Sequence, residues 1–221
     1  MSTTRPGLFV TFEGIDGSGK TTQLRLLAQR LRDSGHEVVV SCEPGGTAIG
    51  KQIRKILLDA KNQELSPTAE LLLYFAARAQ NIEELILPSL EAGKIVLVDR
   101  FTDSTLAYQA AGRGLGEEVV LQLDRIACRG LKPDVTFLID IDVETSLARA
   151  RARNEQTVGE EAGQTRMDEQ TIEFHRRVAA AYERLAAREA ERFRRIDGRS
   201  SVEEVAAQVW AAFSPLLEHV R

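Results

Sequence analysis

Residues 14–21 read Gly-Ile-Asp-Gly-Ser-Gly-Lys-Thr, the pattern G-x-x-x-x-G-K-[ST], and stand between two segments of different periodicity. Before them, Leu8–Glu13 is a short β-rich run. After them, residues 20–34 place Leu24, Leu27, Ala28 and Leu31 on one helix face, and Gly35 supplies a stop. A strand that turns through glycines into a helix is a narrow specification. The glycines let the backbone wrap an anion, and exposed N–H groups with the positive helix end favour it. Lys20 is placed to reach the β- and γ-phosphates, and the Thr21 hydroxyl to ligate Mg²⁺. Gly14, Ile15, Asp16, Gly17, Ser18, Gly19, Lys20, Thr21 and Thr22 are therefore candidate residues for holding ATP. The motif alone does not distinguish one P-loop protein from another.

The rest of the chain continues the alternation. Further strands are expected at Glu37–Cys42, Ile95–Asp99, Asp134–Asp140 and Phe193–Asp197. The continuous apolar run Ile95–Asp99 suits a strand buried on both faces. Helices are expected at 48–60, from Ser66-Pro67 toward Gly93 with Pro88 as a kink or early end, at 116–129, and from about Glu144. Phe174, Val178, Tyr182 and Leu185 mark another helix, and Val202, Val205, Ala206, Val209 and Phe213 a last one. Residues 154–165 lack periodicity and read as a mobile loop. Five strands alternating with helices predict an α/β, P-loop NTPase fold, a five-stranded parallel sheet with helices on both faces. The expected organisation is a single domain over 1–221 with a lid insertion at about 149–168.

Composition removes several alternatives. In 221 residues, 29 cationic and 33 acidic side chains give a net charge of -4, which argues against a dedicated nucleic-acid polymer binder. Only six of the cationic residues are Lys. Arg is the better fork for phosphate, but a codon bias would give the same excess. Cys42 and Cys128 have no metal or disulfide spacing and read as small buried hydrophobes. No apolar run approaches the roughly 18 residues of a membrane span, and Met1–Gly7 is polar, so a reducing, cytoplasmic setting is expected. A GTPase-type N-K-x-D and an ABC-type L-S-G-G-Q are both absent from the sequence.

Asp99-Arg100-Phe101 closes the buried strand 95–99. Parallel strands deliver ligand residues at their carboxyl ends, which places Asp99 as a second acidic group near Mg²⁺ and Arg100 as a phosphate fork. Phe12-Glu13-Gly14 with residues 15–22, Glu43-Pro44-Gly45-Gly46-Thr47, and Asp99-Arg100-Phe101 with Ser104-Thr105 and Tyr108-Gln109 together resemble the thymidylate kinase family in its bacterial form, over nearly the whole chain. The D-G-[FY]-P-R of adenylate kinases and the E-R-S of deoxynucleoside kinases do not occur.

The resemblance implies transfer of the ATP γ-phosphoryl group to dTMP, giving dTDP and ADP, by a homodimer using Mg²⁺. It implies that Asp16 holds the acceptor's 3′-hydroxyl and that Glu43 sits at the metal and acceptor phosphate. Arg54 and Arg100 would clamp that phosphate, Tyr74 would stack on thymine, and Arg78 would hydrogen-bond a ring carbonyl. Ser104, Thr105, Tyr108 and Gln109 would belong to the base and sugar pocket. Read as plain residues, Arg54 suits a solvated helix face equally well, and Tyr74 with Arg78 suits a core ring under a snorkelling cover. The family's usual aromatic at 74 is Phe, which leaves Tyr74 and its neighbour Phe75 both as candidates for the stack. The family's Asp-Arg-x-Glu lid motif here reads Thr165-Arg166-Met167-Asp168. Arg149, Arg151 and Arg153 precede the aperiodic segment, which looks like the bacterial arrangement in which lid arginines close over ATP. Arg153 is the first candidate and Arg149 the second.

Overall fold

The computed structural model describes residues 6–156 and 163–219. Its centre is a five-stranded, all-parallel sheet built from β1 (Leu8–Glu13), β2 (Val38–Cys42), β3 (Ile95–Asp99), β4 (Val135–Asp140) and β5 (Phe193–Asp197), in the order β2-β3-β1-β4-β5. The helices are α1 (Lys20–Asp33), α2 (Ala48–Leu58), α3 (Pro67–Asn81), α4 (Leu87–Glu91), α5 (Thr102–Thr105), α6 (Glu117–Cys128), α7 (Val143–Gln156), α8 (Ile172–Arg188) and α9 (Val202–Phe213). The expected α/β class, strand count and parallel pairing are thus observed.

Period-two alternation divides the core into two layers. Phe9, Val96, Val98 and Leu138 face the layer containing Leu71, Phe75, Phe101, Val178 and Leu185. Val10, Phe12, Ile95, Leu97, Phe137 and Ile139 face the opposite layer, with Leu24, Leu27, Val205 and Phe213. This parity also aims the strand-end charges. Glu13 shares the side of Phe9, toward α8, whereas Asp99 shares the side of Ile95 and Leu97, toward α1. Phe12 pairs with Asp99 in the sheet register, so the two carboxylates leave neighbouring strands at one level but on opposite faces.

Several local expectations change. The helix opened by Ser66, whose hydroxyl caps Ala69 N–H, continues to Glu91 through a wide turn at Ile82–Ile86. In that turn Leu87 N–H reaches back to the Ile82 carbonyl. The extra residue shifts the hydrogen-bond register just before Pro88, which has no N–H to give. Residues 154–156, expected in the loop, belong to α7; residues 157–162 of that loop lie outside the described residues. Cys128 is buried as expected, but Cys42 is only half-buried. Thr102–Gly112, which carries no clear helical period, is helical, α5 running into a wide turn at Leu106–Gly112.

Candidate active site

The phosphate loop follows the centre of the sheet. Gly17 (φ 82°) is forced by packing as well as by dihedral, because a Cβ there would lie 2.2 Å from the Ser146 carbonyl oxygen of α7. Ser146 Oγ in turn donates to the Asp16 carbonyl. Lys20 is buried and its Nζ donates to the Ile15 carbonyl at 2.9 Å. Burial, joined by the Arg100 charge, lowers the Lys20 ammonium to about 8. Ser18 Oγ is buried in the same loop with no hydrogen-bond partner. A cradle with a cation and an orphaned hydroxyl fits a polyphosphate.

Thr21 Oγ1 donates to Asp99 Oδ2, so the motif's hydroxyl and the strand-end carboxylate meet as sequence position suggested. Among the described residues there is no group of three or more His, Cys, Asp or Glu able to cage a metal. Two hard oxygen ligands beside a phosphate site suit Mg²⁺, which keeps waters and takes phosphate oxygens. Glu43 lies beside Asp99, its N–H donating to the Asp99 carbonyl at 2.9 Å. Its Oε2 receives Arg78 Nε at 2.6 Å and its Oε1 receives Asn81 Nδ2 at 3.0 Å, so the carboxylate is anchored to α3.

Arg100 connects the phosphate loop to the helical segment Thr102–Gly112. Its Nη2 donates to Asp16 Oδ1 at 2.6 Å and to Tyr108 OH at 3.1 Å, while Tyr108 OH donates to Asp16 Oδ2 at 2.6 Å. Burial alone would raise the Asp16 carboxyl. Arg100, with Lys20 and the Tyr108 hydroxyl, more than offsets it and holds Asp16 well below the usual carboxylate range.

Arg78 is 1% exposed, so it is neither a solvated residue nor a snorkelling cover. Its Nη2 donates to Thr105 Oγ1 at 2.9 Å, its guanidinium lies over Phe75 and Phe101, and its Nη1 is buried without a partner. An unsatisfied donor in such a wall is an invitation to a ligand carbonyl. Phe75 belongs to the core and is 4% exposed, whereas Tyr74 is half-buried; burial and then the Glu70 charge raise its phenol. Gln109 Nε2 donates to Glu70 Oε1 at 2.9 Å.

Arg54 is not on a solvated face. Its Nη1 donates to the Pro44 carbonyl at 2.9 Å and its Nε to Gln164 Oε1 at 3.0 Å. Arg166 is fully buried: its Nε donates to the Leu57 carbonyl and its Nη2 lies 2.7 Å from Glu70 Oε2. The two arginines expected to close over ATP have different partners. Arg149 Nη1 donates to the Gly198 carbonyl at 3.1 Å, whereas Arg153 Nη2 pairs with Asp168 Oδ2 at 2.8 Å. Asn154 Nδ2 shares that same oxygen.

Sequence reading missed Glu13, Asn81, Glu70 and Tyr182 as site residues. Glu13 is a charge ending an apolar strand, the same signal that marks Asp99. Tyr182 sits in an apolar stripe, and periodicity says nothing about its hydroxyl.

The family model described as thymidylate kinase matches residues 12–209. The chain is 52% identical over 205 residues to the thymidylate kinase of Pelobacter propionicus, covering 93% of each chain. It is 50% identical over 206 residues to that of Geotalea uraniireducens, covering 93% of this chain and 96% of the relative. Among solved structures, a thymidylate kinase from Ehrlichia chaffeensis superposes with a TM-score of 0.75 at 34% identity, covering 94% of this chain and 98% of that one.

Proposed function

The chain belongs to the thymidylate kinase family, and on that premise we propose how its own residues carry the reaction. It is an ATP:dTMP phosphotransferase of nucleotide biosynthesis: an oxygen of the dTMP phosphate attacks the ATP γ-phosphorus, the bond to the β-phosphate oxygen breaks, and dTDP and ADP leave. The attacking oxygen is already anionic at neutral pH, so no general base is needed, and catalysis is positioning plus charge stabilisation.

Residues 14–22 hold the ATP phosphates, with Lys20 on the transferring group. Thr21 and Asp99 would hold Mg²⁺, which supplies charge neutralisation on the phosphates. Arg100 and Arg54 take the acceptor phosphate. Asp16, kept ionised by Arg100, accepts from the 3′-hydroxyl. Tyr74 stacks on thymine, and Arg78 Nη1 donates to a ring carbonyl. Ser104, Thr105 and Tyr108 fix these groups from α5 and the turn after it, and Gln109 does so through Glu70. Arg153, released from Asp168, and Arg149 stabilise charge on the transferring group from the lid segment at about 149–168, within one domain over 1–221. A homodimer is supported by six large apolar side chains, Ile49, Ile56, Leu72, Val119, Leu121 and Ile126, standing exposed on α2, α3 and α6. Among the described residues no helix is long and apolar enough to cross a membrane, and a cytoplasmic setting fits the thiols and the small charged substrates.

The Arg100–Asp16–Tyr108 triad supports this reading most, since it ties phosphate loop and acceptor helix into one hydrogen-bonded unit. ADP formation should be measured with dTMP, AMP, GMP and thymidine as acceptors. Transfer to dTMP is expected to dominate; preference for AMP, GMP or the unphosphorylated nucleoside would overturn the assignment.

A further inference from the structure

Arg100 is held on its far side as closely as on its substrate side. Its backbone has φ 69°, a left-handed value that a side chain with a Cβ seldom adopts. Two hydrogen bonds brace that conformation. Arg100 N–H donates to the Phe12 carbonyl at 3.0 Å, and the next amide, Phe101 N–H, donates to Glu13 Oε1 at 2.7 Å. The other Glu13 oxygen, Oε2, receives Ser104 Oγ at 2.5 Å and Tyr182 OH at 2.9 Å. Arg100 Nη1 then reaches the same two hydroxyls, at 3.0 Å for Ser104 and 3.3 Å for Tyr182, and the Gly14 carbonyl at 3.2 Å.

Counting protons orders this cluster. Ser104 and Tyr182 have one hydroxyl hydrogen each, and a carboxylate can only accept. Ser104 Oγ and Tyr182 OH also lie 2.8 Å apart, so one of the two hydrogens can bridge them while the other goes to Glu13; with neither turned toward Arg100, both hydroxyl oxygens keep a lone pair for the guanidinium. Without the Glu13 charge, the hydroxyl hydrogens are free to turn toward Arg100, where they repel it. Glu13 is fully buried, and its carboxylate is hydrogen-bonded to Phe101, Ser104 and Tyr182.

We propose that Glu13, acting through the hydroxyls of Ser104 and Tyr182, is the positioning residue that sets the direction in which Arg100 presents its guanidinium to the acceptor phosphate. This rests on the reading of Arg100 as a clamp for that phosphate. It gives α8, the helix that follows the lid, a part in acceptor binding, since Tyr182 is its contribution. It also gives a reason for a buried acid at the end of β1, on the sheet face away from α1.

The experiment is a double-mutant cycle on Tyr182→Phe and Arg100→Ala, reading the dissociation constant for dTMP by calorimetry and the Michaelis constants for both substrates. Tyr182→Phe removes one hydroxyl and leaves the ring packed against Tyr108. It should weaken dTMP about five- to tenfold while the ATP constant stays within about twofold. In the Arg100→Ala background the same change should have no further effect on dTMP. An equal loss in both backgrounds would mean that Tyr182 acts by packing alone and would overturn the proposal. So would an unchanged dTMP constant for Tyr182→Phe when Arg100→Ala weakens dTMP, a result that leaves the clamp intact. If Arg100→Ala itself leaves dTMP binding unchanged, the clamp reading falls and the proposal falls with it. Glu13→Gln gives the second variant, expected to follow Tyr182→Phe in direction.

Discussion

Glu13 carries a charge that burial opposes. Its carboxyl is raised from 4.5 to about 7, first by burial and then by Asp103, against hydrogen bonds from Ser104 and the Phe101 amide and the Arg100 charge. A folded value above the unfolded one means that the folded chain takes up the proton first on acidification. The stabilising contribution is therefore complete below about pH 4.5 and lost as pH rises through about 7. Compared with Glu13→Gln, the native protein should gain stability on going from about pH 8 to about pH 5.5, read from urea midpoints; a constant difference would contradict burial as the cause. The residue thus costs stability at the pH where it aligns Arg100, as strained or charged groups at functional sites commonly do. At this scale the sequence was legible where a residue's type and its place at the end of an element sufficed to predict who meets whom: Thr21 at the start of α1 and Asp99 at the end of β3 come together as expected. It was not legible where the role depended on a distant partner. The Arg78 partner of Glu43 lies 35 positions away in sequence; Tyr182 reaches Glu13 across 169. The choice between Tyr74 and Phe75 is a matter of which way α3 is rotated, and the core takes Phe75.

The start signal read at Ser66-Pro67 falls where α3 begins. That of α9 was not read: the Ser201 hydroxyl accepts from Glu204 N–H while the Glu204 side chain returns to Ser201 N–H, a closed capping box. Ser201→Ala should lower stability by about 1 kcal/mol, measured by chemical denaturation. It should leave kinetics for both substrates unchanged, because α9 packs on the layer opposite α8; a loss of turnover would mean that α9 reaches the site. The wide turn over Leu106–Gly112 escaped reading because its hydrogen bonds step by five, as from Arg113 N–H to the Tyr108 carbonyl, and no 3.6-residue stripe results. The same geometry buries two successive side chains and gives them different partners, Tyr108 on Asp16 and Gln109 on Glu70.

For the molecule as a whole, alternation of strand and helix was enough to specify five parallel strands, but pairing order follows from packing and had no local signature. Assembly is likewise a property of surfaces. Ile126, the most exposed of the large apolar residues at 73%, and Leu72 stand on α6 and α3, two helices in mutual contact. Sedimentation of the native protein at micromolar concentration should give twice the chain mass, and Ile126→Glu should shift it to the single-chain value; a native monomer would contradict the homodimer. The facing directions of Glu13 and Asp99 carry a last consequence, for changes of length. Because neighbouring residues of a strand point to opposite faces, removing one residue within β1 would turn the carboxylate now under Arg100 toward α1. Adding one within β3 would withdraw Asp99 from Thr21. The side chains along these strands can be exchanged for others of similar shape, but their lengths are fixed to the residue, since each length decides which side of the sheet a charge is delivered to.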